Sequence, residues 1–184
     1  FRESEMEEFK DVLNNIIIGN RSGADLYNRI FVVSAYNNVT NWLLEHKKTG
    51  APGIYVKFLN DENYAEALDE LCLKLIALNR NYEEIKLDQK VADEFIINRI
   101  EKAKNYLRAM HSVVASGYVD RNDLYLAARE ILSSIGEAHS AFNSVNIIKK
   151  YLLPFYLNSW IIDKYLLYSA NNCSIHIVSI ISCF

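Results

Sequence analysis

An unbroken apolar run, Ile30, Phe31, Val32 and Val33, leads into Ser34, Ala35 and a polar turn closed by Thr40 and Asn41. No other feature constrains the fold of this chain as much. Strict alternation would mark a strand with one wet face, whereas a continuous run marks a strand covered on both, as in the parallel sheet of an α/β protein. The reading makes residues 30–34 a central strand flanked by helices. Ligands of such sheets gather beyond the carboxyl ends of the strands, and Ser34 and Thr40 would stand there. The plainer alternative is a buried strand followed by an ordinary surface turn.

The rest of the chain reads as helix. Residues 9–18 carry apolar side chains at helical spacing, and Gly19 supplies a stop. A polar connection containing Ser22 and Gly23 follows, running over residues 20–28. After a loop with Gly50, Pro52 and Gly53, helical periodicity returns over residues 63–78 through Tyr64, Ala67, Leu68, Leu71, Leu75 and Leu78. Asp88 is placed to cap a long helix with Val91, Phe95, Ile96, Ile100, Ala103 and Leu107 on one stripe, ended by Gly117. Asn122 or Asp123 is placed to cap another, with Leu124, Ala128, Ile131, Ile135, Ala138, Phe142 and Val145 on its apolar side. The two make an antiparallel hairpin.

A chain of 184 residues, 51% hydrophobic and 23% charged, can bury a sizeable core. A net charge of -3 without a basic face argues against nucleic acid as a partner. No run of 18 apolar residues offers a membrane span. Three scattered cysteines, Cys72, Cys173 and Cys183, suit reduced thiols and a cytoplasmic protein. Only two charged residues, Asp163 and Lys164, lie beyond residue 150. That break divides the chain into 1–150 and a divergent apolar tail, 151–184, read as a truncated or frame-shifted end.

Glu137 is the residue most suggestive of chemistry. Ser133, Glu137, Ser140 and Ser144 step by four, three and four, giving a stripe of small polar side chains around one carboxylate. Gly136 inside the same helix costs roughly 1 kcal/mol relative to Ala, which points to a close approach by backbone or ligand. The alternative is tight helix packing with Glu137 at a solvated edge. The four histidines, His46, His111, His139 and His176, show no metal-ligand spacing. Glu137 and His139 lie about 200° apart on a helix and cannot share an ion.

Three segments carry a resemblance. Val32-Val33-Ser34-Ala35 with Thr40-Asn41 resembles the motif after the second strand of aspartokinases, in the amino-acid kinase family. Gly136-Glu137-Ala138-His139-Ser140 is similar to that family's Gly-Glu-x-x-Ser helix. Residues 43–55, from Leu43 to Tyr55, resemble an insertion in the branch associated with ectoine-producing bacteria. The resemblance implies a partial amino-acid kinase fold, an αβα sandwich with long helices truncated at both ends. Residues 1–150 would then be part of the amino-acid-binding half. It implies the family's reaction, in which ATP phosphorylates the β-carboxylate of L-aspartate to give 4-phospho-L-aspartate. It also implies ATP and Mg²⁺ for the intact enzyme and a homo-oligomer.

By the same matching, Ser34 and Thr40 line the aspartate pocket, and Glu137 holds the substrate through its amino group. Asn38 stands where the family has Gly, and Asn tolerates positive φ best among the other residues. The family's Lys-Phe-Gly-Gly-Thr-Ser segment is missing from this sequence, which has no Gly-rich loop. No catalytic, cofactor-binding or metal-binding residue is therefore assigned, and the chain by itself is expected to be inactive. The competing expectations are a non-enzymatic helical interaction module and an amino-acid kinase with another substrate.

Overall fold

The structure, a computed structural model, describes residues 3–21, 29–152, 166–167 and 177–181. The connection 22–28 and nearly all of the tail, with Asp163, Lys164, Cys173, His176 and Cys183, lie outside the described residues.

Helices dominate. The chain begins with α1 (Glu3–Asp11), which continues into a π-helical stretch, Val12–Ile18, stopped at Gly19 with φ 53°. Strand β1 (Arg29–Val33) is followed by two short helices, α2 (Val39–Leu43) and α3 (Ile54–Leu59). Three long helices complete the body: α4 (Tyr64–Arg80), α5 (Gln89–Ser116) and α6 (Arg121–Leu152). Two short strands, β2 (Leu166–Leu167) and β3 (Ile177–Ile181), come last.

The α/β amino-acid kinase architecture is not what the chain adopts. Most described residues are helical, and no parallel sheet occurs among them. A strand does form at the apolar run, but its pairing is antiparallel, Arg29 opposite Ile181 through Val33 opposite Ile177, in the order β1-β3-β2. β1 is therefore an edge strand, with Val32 57% exposed. A continuous apolar run reports burial on both faces only when helices cover both; here the long helices bury one another instead.

That core follows the predicted periodicities. Leu68, Leu71, Leu75 and Leu78 of α4 meet Ile96, Ile100, Ala103 and Leu107 of α5 and Ala128, Leu132 and Ile135 of α6. Truncating one such fully buried Leu to Ala costs about 2–5 kcal/mol. Helix α5 starts and stops as expected: the Asp88 side chain accepts from the Val91 N–H at 3.2 Å, and Gly117 takes φ 73°. Two details differ. Val91 is exposed and Ala92 is buried in its place. The cap of α6 comes two or three residues earlier than expected, where Asp120 Oδ1 accepts from the Asn122 N–H at 2.7 Å. The segment read as a polar turn is the start of α2, entered through Asn38 at φ 64°. Asn38 thus adopts the positive φ expected where the family has Gly.

Candidate functional site

The two short motifs are about a hundred residues apart in sequence and touch in space. Gly136 makes the contact possible. A Cβ built there would lie 2.8 Å from Ala35 Cβ, closer than real Cβ contacts allow, and a tight 3.0 Å from Val39 Cγ1. Any larger residue would push the turn of residues 34–40 away from α6. Three residues on, the imidazole of His139 meets the ring of Tyr36 edge-on at 5.3 Å between centroids. Val33 packs on Ala138 and Ala141. The Gly-Glu-x-x-Ser-like helix and the Ser34–Thr40 turn are therefore one packed unit.

Glu137 lies within this unit and is only 6% exposed, which removes the solvated-edge alternative. Its Oε2 is buried without a hydrogen-bond partner among the described residues. Burial pushes the carboxyl up to about 7; a hydrogen bond from its own backbone opposes the rise, Glu130 adds to it, and the Arg99 guanidinium opposes it. Arg99 itself donates to the Ser134 hydroxyl at 3.0 Å. Leaving a buried polar atom unsatisfied costs about 1–3 kcal/mol, more for a charged group, and such groups concentrate at functional sites. The stripe around Glu137 is buried too, at Ser140 and Ser144. Ser140 turns its hydroxyl back to the Glu137 carbonyl at 3.0 Å. Of the other expected site residues, Thr40 is half-buried in the first turn of α2, and Ser34 is exposed at the end of β1.

On the other side of α6 from Glu137 runs a buried polar seam that the sequence reading did not single out. Asn79 donates from Nδ2 to Asp93 Oδ1 at 2.8 Å. A carboxylate only accepts, so this bond fixes the orientation of the Asn79 amide. Its Oδ1 then accepts from His139 Nε2 at 2.7 Å and from Asn143 Nδ2 at 2.8 Å. The proton of His139 is thereby placed on Nε2, and burial lowers its pKa to about 4, so the ring is neutral. His139 Nδ1 remains buried without a partner among the described residues, while the Tyr36 hydroxyl also reaches Asn143. A signal was present in the sequence. Asn79 follows Leu71 and Leu75, and His139 and Asn143 follow Ile135, each by steps of four, so polar residues occupy core positions.

Among the described residues no cluster of His, Cys, Asp or Glu is arranged to hold a metal ion, and no helix is long and apolar enough to cross a membrane. Cys72 is a half-buried free thiol whose pKa burial raises.

Comparison with known proteins bears out the resemblance carried by the motifs. The chain is 43% identical over 148 residues to aspartate kinase Ask_Ect of Stutzerimonas stutzeri strain A1501. The match takes in 79% of this chain and 31% of that protein, so the chain spans about a third of the length of the relative. No family model matches the chain, and no solved structure matches it.

Proposed function

We propose that this relative of the aspartate kinases forms the L-aspartate-binding part of such an enzyme. The full reaction would transfer the γ-phosphoryl group of ATP to the substrate β-carboxylate, giving 4-phospho-L-aspartate. The observation that carries the reading is the orphaned buried oxygen of Glu137, next along α6 from Gly136, on which the turn bearing Ser34 and Thr40 packs. A buried carboxylate oxygen without a hydrogen-bond partner favours a cationic donor, and the ammonium of an amino acid supplies charge and N–H donors together. Binding the ammonium would draw the Glu137 pKa back down, because an opposite charge favours the ionised form. The hydroxyls of Ser34 and Thr40 would donate to a substrate carboxylate without adding charge.

Among the described residues none is assigned to the nucleotide or its metal. The sequence has no Gly-rich phosphate loop, and the described carboxylates form no metal cluster.

Titration calorimetry tests the reading. L-Aspartate should bind, succinate (which lacks the ammonium) should bind at least about tenfold more weakly, and Glu137→Gln should lose a similar factor, as expected for a charge-assisted hydrogen bond. Equal affinity of the parent and Glu137→Gln for L-aspartate would sink the assignment.

A further inference from the structure

A cleft of about 210 Å³ opens away from Glu137, between α2, the loop after it, α3 and α4. Its apolar lining includes Trp42, Pro52 and Leu71, and its charged lining is Lys57, Glu70 and Lys74. Glu70 and Lys74 are four apart on α4, the spacing at which such residues normally pair on a helix. They do not pair: Lys74 Nζ sits 5.3 Å above the Trp42 ring instead. Neither Lys57 nor Glu70 makes an ion pair with any described residue.

The loop wall is a built structure. Gly53 N–H donates to the Leu44 carbonyl at 3.1 Å, His46 N–H to the Ala51 carbonyl at 2.9 Å, and Gly50 N–H to the His46 carbonyl at 2.8 Å. A Cβ on Gly53 would fall 2.5 Å from the Leu44 oxygen, so the loop closes this tightly only with glycine there. His46, also in the lining, accepts at Nδ1 from the Lys48 and Thr49 N–H groups at 3.3 and 3.2 Å. Its remaining ring proton on Nε2 is a donor with no described partner.

We infer that this cleft is a separate ligand site, for a free α-amino acid with an apolar side chain. The carboxylate would be taken between Lys57 and Lys74, the ammonium by Glu70, and the side chain by the Trp42, Pro52 and Leu71 surface. One anionic and two cationic groups, unpaired around an aromatic wall, suit a zwitterion better than a simple anion or cation. A wall fixed by its own backbone hydrogen bonds loses little freedom on binding. The inference does not rest on the aspartate reading, since none of its residues is Ser34, Thr40 or Glu137.

The test uses the 184-residue chain carrying Trp160→Phe, so that Trp42 alone reports by fluorescence, with calorimetry as a second readout. Three probes are titrated: L-leucine, 4-methylpentanoate (leucine without its ammonium) and 3-methylbutylamine (leucine without its carboxylate). L-Leucine should give a saturable change, with each truncated probe at least about tenfold weaker. Lys57→Ala and Glu70→Gln should each weaken L-leucine by about the same factor, while Glu137→Gln leaves it unchanged. These are accessible side chains, and unchanged circular dichroism certifies the fold of each variant. No saturable response to L-leucine in either readout, or one indifferent to both substitutions, overturns the proposal. Loss of L-leucine binding in Glu137→Gln would place it in the aspartate pocket and overturn it equally.

Discussion

Replacing Glu137 by Gln should stabilise this protein, and increasingly so as the pH rises. A carboxyl with an ordinary pKa of 4.5 in the unfolded chain and about 7 in the folded one retains its proton on folding. Between those two values the unfolded chain binds fewer protons than the folded one, so folding stability falls as pH rises and the loss is complete above about pH 7. Each tenfold change in proton affinity corresponds to about 1.4 kcal/mol, which makes the full penalty on the order of 3 kcal/mol. Part of it is already present at pH 5, so Glu137→Gln should gain about 2–3 kcal/mol more over the parent at pH 8 than at pH 5. Urea unfolding at the two pH values, with equal slopes, measures the difference. Parallel pH dependences for parent and variant, or a variant less stable at pH 8, would show that the folded chain holds Glu137 ionised and partnered. The same linkage acts on the ligand. If the substrate ammonium binds ionised Glu137, affinity for L-aspartate should climb from pH 5 to pH 7 and then level off.

Gly136→Ala should destabilise the fold by up to about 2 kcal/mol, because overpacking against Ala35 and Val39 (about 1–3 kcal/mol) outweighs the helix-propensity gain of about 1. Adding Ala35→Gly should recover part of that loss; a Gly136→Ala protein more stable than the parent in urea would mean the turn does not press on α6. Asn79→Ala should cost about 2–4 kcal/mol, since it strips partners from buried His139 and Asn143 together. A shift in thermal midpoint no larger than that of an exposed substitution such as Lys90→Ala would count against the seam.

Local chemistry was legible in this sequence and long-range pairing was not. The limits of α5 could be read because Asp88 and Gly117 act on the backbone next to them. The positive φ of Asn38 was expected only through the resemblance, because the family has Gly at that position. The run from Ile30 to Val33 was rightly read as a strand, but its residues carry no record of which segment pairs with it or in which direction. The α/β expectation failed at that point. That something packs closely on Gly136 was legible through a helix-interior glycine, whose cost needs a reason, but not that the Ser34–Thr40 turn is what does so. The Asn79, His139 and Asn143 seam was missed because polar residues at core spacing read as gaps in an apolar stripe. Only the facing helices show that the gaps meet.

The α5–α6 hairpin is unevenly held along its length. The last buried residue of α5 is Leu107, and its last core contacts are those of Met110 and of His111, whose Nε2 lies 3.1 Å from the Phe58 carbonyl. Beyond them nearly every residue from Ser112 to Asp123 is exposed, Tyr118 at 93%. Helical turns without tertiary contacts depend on their own backbone bonds, which are marginal in water for so short a stretch. The molecule therefore opens in parts rather than all at once. Amide protons at the hairpin tip should exchange with solvent through small local openings, while those from Leu132 to Asn143 wait for global unfolding. The Glu137 region is thus the clamped end of a long arm whose free end breathes.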